Sequence, residues 1–415
     1  MPVTSAPAPR PLAPTPSPTG SGLGTSPVLG AAIILFCLFL IVQIAIDVPD
    51  LRSAPALVDF DAFYVVGLLI HEGRLAEAYH LPTLVAAYRE MSGLDSFMPW
   101  TYPPQFNLIA ALLPTLPRGY AYLVFTGGSF LAYLWVLRRL AGPAATMVLA
   151  LTLPILLVQL ACGQNGFLTG ALVGWMAIAV VERRPGAGVP LGLMAIKPHL
   201  GLALGLWALA RGRWDIVGWA VAVGALGALA ATVAFGPGVW LAFRSGVAEA
   251  AGFLAAGDYP LFRMTSLYAA LHRLGVDPAL AMAAQGALGL AAAGVVIWVA
   301  RRDLAVRPAL ALACAATLMI SPYTYDYDLT ILGLALALLA SDLLARARRV
   351  EVVGLMALFW AGGGWGLVRS LMNHGLDPAE VGIVQGTAPS IGAPLLFAAL
   401  ALAARILMRK APDAA

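Results

Sequence analysis

From residue 28 onward the chain is a succession of apolar runs of roughly 14 to 23 residues, separated by short polar or basic joints. The first, residues 28–46, has 19 uncharged residues. At ~1.5 Å per residue that is enough to span a ~30 Å hydrocarbon core. It is long for the apolar part of a cleaved leader and lacks a basic flank, so a retained first helix is expected. Further runs lie near 104–117, 119–138, 144–161, 165–182, 187–209, 214–235, 279–300, 305–320, 326–342, 350–370 and 388–408. About twelve membrane spans are predicted.

Two stretches break the pattern. Residues 1–27 hold eight prolines and one charge, Arg10; they cannot bury a core and are expected to form a disordered cytoplasmic tail. Residues 48–103 carry seven acids against three arginines. Within them, 56–70 and 75–91 have helical apolar periodicity and are predicted as amphipathic helices on the membrane surface. Residues 28–410 are taken as one transmembrane domain.

Composition agrees with this pattern. Hydrophobic residues make up 60% of the 415 and charged residues 11%, against about 25% charged in soluble domains. That excludes a soluble enzyme, a disordered chain and a disulfide scaffold. The net charge of +4 comes from short arginine clusters between apolar runs, which mark membrane edges, not nucleic-acid contacts. Cys37, Cys162 and Cys314 lie far apart in apolar surroundings and form no disulfide or metal framework.

The arginines also orient the chain. Clusters at Arg138/Arg139, Arg183/Arg184, Arg211/Arg213, Arg301/Arg302, Arg346/Arg348/Arg349 and Arg409/Lys410 belong in the cytoplasm. The acidic 48–103 loop, residues 162–166, the long 236–278 loop, residues 321–328 and 371–387 then lie outside. Parity requires that either 104–117 or 119–138 does not cross fully. Between the clusters at 183 and 211 the chain has about half the length that two spans need. Residues 187–209 are therefore predicted as two short helices meeting at Lys197-Pro198-His199.

The outer segments hold the candidate chemistry. Asp59 is either a helix-terminal carboxylate offsetting the dipole or a general base at the membrane boundary; Asp61 is the second choice. Trp100 and Tyr102 suit the interface beside Pro103 and Pro104. Gln164 and Asn165 either make a turn or offer amides to sugar hydroxyls. Lys197 in a membrane helix costs roughly 2.5–3.5 kcal/mol on insertion scales, so an anionic partner is needed. That partner is either an internal aspartate or a lipid-linked phosphate; His199 sits at the same break. In Ser321–Asp328, Tyr325, Asp326 and Asp328 combine ring faces with carboxylates, as sugar sites do, and Arg263 offers a second cation. Nucleotide-binding loops and metalloprotease motifs are absent from the sequence.

The order of these elements resembles glycosyltransferase family 87. Asp59-Phe60-Asp61-Ala62-Phe63-Tyr64 follows the first helix. Then come Tyr102-Pro103-Pro104, Gly163-Gln164-Asn165, Ile196-Lys197-Pro198 and Ser321-Pro322 with a polar aromatic run. The resemblance covers about residues 28–408, and the family includes polyprenyl-phosphate-mannose-dependent mannosyltransferases acting on phosphatidylinositol mannosides. It implies an all-α polytopic membrane protein with the C-type glycosyltransferase (GT-C) fold in a bacterial-type inner membrane, its active site outside. The implied donor is a polyprenyl-phosphate sugar and the acceptor a lipid or glycan. Carried over, the catalytic aspartate falls on Asp59, with Lys197 and Arg263 at the donor phosphate. Tyr102, Gln164, Asn165, His199, Tyr325, Asp326 and Asp328 would contact sugar or acceptor. Mannoside-acting members place a histidine near the Ser-Pro motif, and this chain has none there. A monophosphate-linked donor calls for no metal or other cofactor. A secondary transporter and a lipid-linked oligosaccharide polymerase or ligase are the other readings. The acidic outer loop and the lack of an internal repeat of the Lys197 break weigh against the transporter.

Overall fold

The computed structural model describes residues 25–53, 57–93, 97–302, 304–372 and 386–409. Most of the expected tail (1–24) and most of the 371–387 loop fall outside the described residues. Among the described residues all regular elements are helical, and the only extended pairing is an isolated bridge between Met264 and Tyr325.

α1 (Pro27–Asp47) starts where Ser26 accepts a hydrogen bond from Leu29 N, with Pro27 supplying a preset φ. The outer segment then folds as α2 (Val58–His71), α3 (Leu75–Ala78) and α4 (Leu81–Ser92). α4 is amphipathic as expected, with Leu84, Ala87 and Tyr88 buried. α2 is different: Phe60, Phe63, Val65, Val66 and Leu69 have no exposed surface. It is packed into the bundle, not laid on a membrane surface, because its apolar positions are spread around most of its circumference.

α5 (Pro104–Ala110) has seven residues, roughly 10 Å of helix, too short to cross. α6 (Arg118–Tyr122) continues through a π turn at Leu123–Gly127 into α7 (Gly128–Ala141). The 104–117 run is therefore the one that does not cross. α8 (Ala145–Cys162) folds back on this rod, since Tyr122 OH donates to Leu160 O at 2.8 Å. α9 is Gly166–Val181.

α10 (Gly188–Leu193) and α11 (Leu202–Ala210) are the two short helices expected around Lys197. Lys197 breaks them, at φ −151° and ψ 69°, flanked by 3-10 turns and followed by Pro198. α12 (Trp214–Phe235) follows. The expected 236–278 loop is instead largely helical: α13 (Val239–Ala256) and α14 (Leu267–Arg273). α15 (Pro278–Ala300), α16 (Val306–Ile320), α17 (Thr330–Arg346), α18 (Arg349–Met372) and α19 (Gly392–Leu407) complete the bundle.

Among the described residues, seven helical stretches are long and apolar enough to cross a membrane by length and composition, and α9, α16 and α19 are shorter apolar helices. The chain is a multi-pass, all-α membrane protein. Its arginine-bearing ends gather on one side. Arg139 Nε meets Glu182 at 2.7 Å, Arg211 Nη1 donates to Ala300 O at 3.1 Å, and Arg307 Nε donates to Leu338 O at 3.2 Å. Arg409 pairs with Glu351 and Arg346 caps Leu407 O. α8, α9, α16 and α17 each run from that side to the opposite end.

Candidate active site

At that opposite end, chain segments far apart in sequence converge: the start of α2, residues 97–103, the α8–α9 turn, the α10–α11 break and residues 258–266 and 321–329. They surround a cavity of about 370 Å³ with Asp59, Tyr102, Lys197, His199, Arg263 and Tyr325 on its wall. Local backbone pairing sets part of this geometry. The Met264–Tyr325 bridge and Thr265 N donating to Thr324 O at 2.8 Å hold those two segments side by side, which brings Arg263 opposite Asp326.

Asp59 is 3% exposed and belongs to the first turn of α2, whose N-cap is Leu57. Gln164 Nε2 donates to its Oδ1 at 3.0 Å. Its Oδ2 has no hydrogen-bond partner among the described residues and lies 3.8 Å from Arg263 Nη1. Burial pushes this carboxyl above the usual range, with the Arg263 guanidinium and the Gln164 amide acting in the opposite direction.

Asp61 points away from the cavity. Arg118 grips it through Nε at 2.6 Å and Nη2 at 2.8 Å, and Leu57 N and Tyr88 OH fill its remaining lone pairs. Arg118 also donates to Asp50 O at 2.6 Å. Two carboxylates separated by two residues point in different directions on a helix. One faces the cavity and the other is part of the scaffold.

The two cations each carry an internal counter-charge. Lys197 Nζ meets Asp328 Oδ1 at 2.5 Å and stands 4.8 Å from the Tyr327 ring centroid. Arg263 holds Asp326 through Nε at 3.1 Å and Nη2 at 3.0 Å, with its Cζ 5.7 Å from the same ring. Asp326 and Asp328 also accept from Tyr327 N and Tyr325 N. Both are buried, neither is on the cavity wall, and the carboxylates expected to accept from sugar hydroxyls are bonded here to internal cations. Carboxylates entering an apolar helix are held here by the protein's own cations. Gln164 and Asn165 are likewise fully buried and lie behind the wall, not on it. His199 does line the cavity, and its Nε2 is buried without a hydrogen-bond partner among the described residues.

Several wall residues escape a reading of motifs alone. Phe243, Val247 and Ala250 of α13 face the cavity; their spacing of four and three residues is a helical stripe inside a segment expected to be a loop. Tyr259 also lines it and packs edge to face at 5.9 Å on Tyr323, a tyrosine of the Ser321–Asp328 run singled out in the sequence. Gly366 of α18 lies against Asp326, where any Cβ would collide with Oδ2. The glycine-rich run at 362–366 was the available signal.

The structure is a multi-pass helical bundle with a buried carboxylate and two cations on one cavity. The class becomes specific from the comparison with known families. The model of glycosyltransferase family 87 matches residues 100–322, more than half of the chain, and the chain belongs to that family. It is a membrane glycosyltransferase. The matched region contains Tyr102, Gln164, Lys197, His199 and Arg263, and it lies between Asp59 and the Tyr325–Asp328 cluster. No curated protein and no solved structure matches the chain.

Proposed function

We propose that the protein transfers a hexose, mannose on the family resemblance, from a polyprenyl-phosphate donor to a lipid or glycan acceptor at the extracytoplasmic face. The observation that carries this reading is the unbonded, buried Oδ2 of Asp59 on a cavity shared with Lys197 and Arg263. The arginine-bearing ends support this side of the membrane: basic ends favour the cytoplasm, and they lie at the far end of α8, α9, α16 and α17 from the cavity.

The step is a single inverting displacement. The acceptor hydroxyl oxygen forms a bond to the anomeric carbon as the bond from that carbon to the donor phosphate oxygen breaks. The hydroxyl proton passes to Asp59 Oδ2 and the leaving group departs as polyprenyl phosphate. Lys197 gives one N–H to Asp328 and keeps others for the phosphate. Arg263 spends Nε and Nη2 on Asp326, leaving Nη1 directed near Asp59. Both cations meet the charge that grows on the leaving oxygen. The Tyr259 and Tyr323 rings supply faces for a sugar ring.

The test is transfer in proteoliposomes containing radiolabelled polyprenyl-phosphate mannose and a native lipid extract. Label is expected to move to acceptor without added nucleotide sugar. Transfer from nucleotide sugars alone would sink the donor assignment. Lys197→Met is expected to weaken donor binding by roughly 10- to 100-fold, the loss of one charge-assisted contact, and to destabilise the fold by leaving Asp328 buried and unpaired. Adding Asp328→Asn restores thermal stability in detergent but not donor affinity. Recovery of both by the double variant would make Lys197 purely structural.

A further inference from the structure

Turns favour small residues, so Gln164 has no local reason to occupy Gly163–Gly166. The structure supplies a distant one. Gln164 Oε1 accepts from Tyr102 OH at 2.7 Å and from Asn165 N at 2.8 Å, while its Nε2 donates to Asp59 Oδ1 at 3.0 Å. The Asn165 backbone N–H can only donate, so the amide end it meets is the oxygen, Tyr102 OH donates to the same atom, and the NH2 faces Asp59. The turn itself is braced. Gly163 N donates to Gln159 O at 3.0 Å, and the Gln159 amide donates to Gln164 O. Gly163 has φ +65°, and a Cβ there would lie 2.6 Å from Phe60 Cβ. Turn and α2 are therefore in contact at the residue next to Asp59.

The two oxygens of Asp59 are made inequivalent by this arrangement. Oδ1 is anchored, and Oδ2 stands 3.8 Å from Arg263 Nη1 without a hydrogen bond. A carboxylate free to rotate beside the guanidinium would turn Oδ2 onto Arg263 Nη1 in a short charge-assisted hydrogen bond, which lowers its basicity. We infer that Gln164, oriented by Tyr102, is a positioning residue that pins Asp59 Oδ1 so that Oδ2 stays available as the proton-accepting oxygen. This rests on the reading of Asp59 as the base. It also accounts for a glutamine in place of asparagine, whose side chain is one methylene shorter and would not span the gap to α2.

The experiment compares Gln164→Leu, Tyr102→Phe, Asp59→Asn and the Gln164→Leu/Asp59→Asn double variant with wild type in the proteoliposome assay, with polyprenyl-phosphate mannose as donor. Gln164→Leu is expected to lower kcat roughly 10- to 100-fold with the donor KM unchanged. Tyr102→Phe should give a smaller fall with the same split. The double variant should be no slower than Asp59→Asn, because residues acting as a unit are not additive. Should Gln164→Leu fail to give a monodisperse protein, Tyr102→Phe, which removes one oxygen, carries the test. A raised KM at unchanged kcat would place Gln164 on the substrate and overturn the inference, as would a further loss in the double variant. If Asp59→Asn keeps the wild-type rate, the base assignment itself fails. If Asp59→Asn is inactive and both other variants keep wild-type kcat, only the positioning role fails.

Discussion

Asparagine in place of Asp59 is expected to lower glycosyl transfer by on the order of 10²- to 10⁴-fold, the usual contribution of a positioned general base. It keeps the donor bound. The amide matches the carboxylate in shape, so the Gln164 contact and the packing around Phe60 survive, and the loss falls on proton acceptance. Single-turnover transfer alongside direct donor binding separates the two effects; equal losses in both would make Asp59 a binding residue. As the proposed base, the same carboxyl is expected to set the pH dependence. Its charge is faced by Arg263, Asp326, Cys162, Tyr102 and Tyr325, and burial outweighs the stabilising guanidinium and amide, so its pKa is raised. A base must be ionised, so activity is lost as pH falls through that raised value. The acid limb of kcat/KM should therefore lie above the ordinary aspartate value of about 3.9. A limb at or below that value would contradict the assignment.

Arg118→Ala is expected to cost about 3–5 kcal/mol of stability, the penalty for stranding a buried partner charge. Arg118 and Asp61 are each about 1% exposed. Their pair joins α6 to α2, and through Tyr88 and Asp50 O it also ties in α4 and the segment after α1. α2 carries Asp59, so this pair also braces the proposed base from behind. Thermal unfolding in detergent measures the loss, and Arg118→Ala/Asp61→Asn should recover part of it because the stranded charge is gone. An Arg118→Ala protein as stable as wild type would show that the pair contributes little.

These two aspartates show where local sequence stops being informative. Asp59 and Asp61 are alike in type and neighbourhood, and only the direction each takes from α2 separates the one facing the cavity from the one facing Arg118. The polar run at 321–328 is a similar case. Tyrosines and aspartates there fit a sugar site as composition, but the carboxylates meet Lys197 and Arg263, which come from segments 131 and 63 residues away. The need of Lys197 for an anion was legible, since an unpaired ammonium in an apolar helix is too costly. Which anion it meets was not.

The sequence by itself determined the membrane-spanning character, the break at Lys197, the arginine-bearing side and the family. Each follows from local quantities: run length against bilayer thickness, a proline after a charge, basic residues at run ends, and ordered short motifs. Tertiary structure alone decided that α2 is buried, that α13 is a helix lining the cavity, and that Gln164 reaches Asp59 across 105 residues of chain. Those outcomes depend on which faces meet once the helices assemble. The contacts that orient a side chain in a bundle come from other helices, and nothing in its own neighbourhood along the chain encodes them.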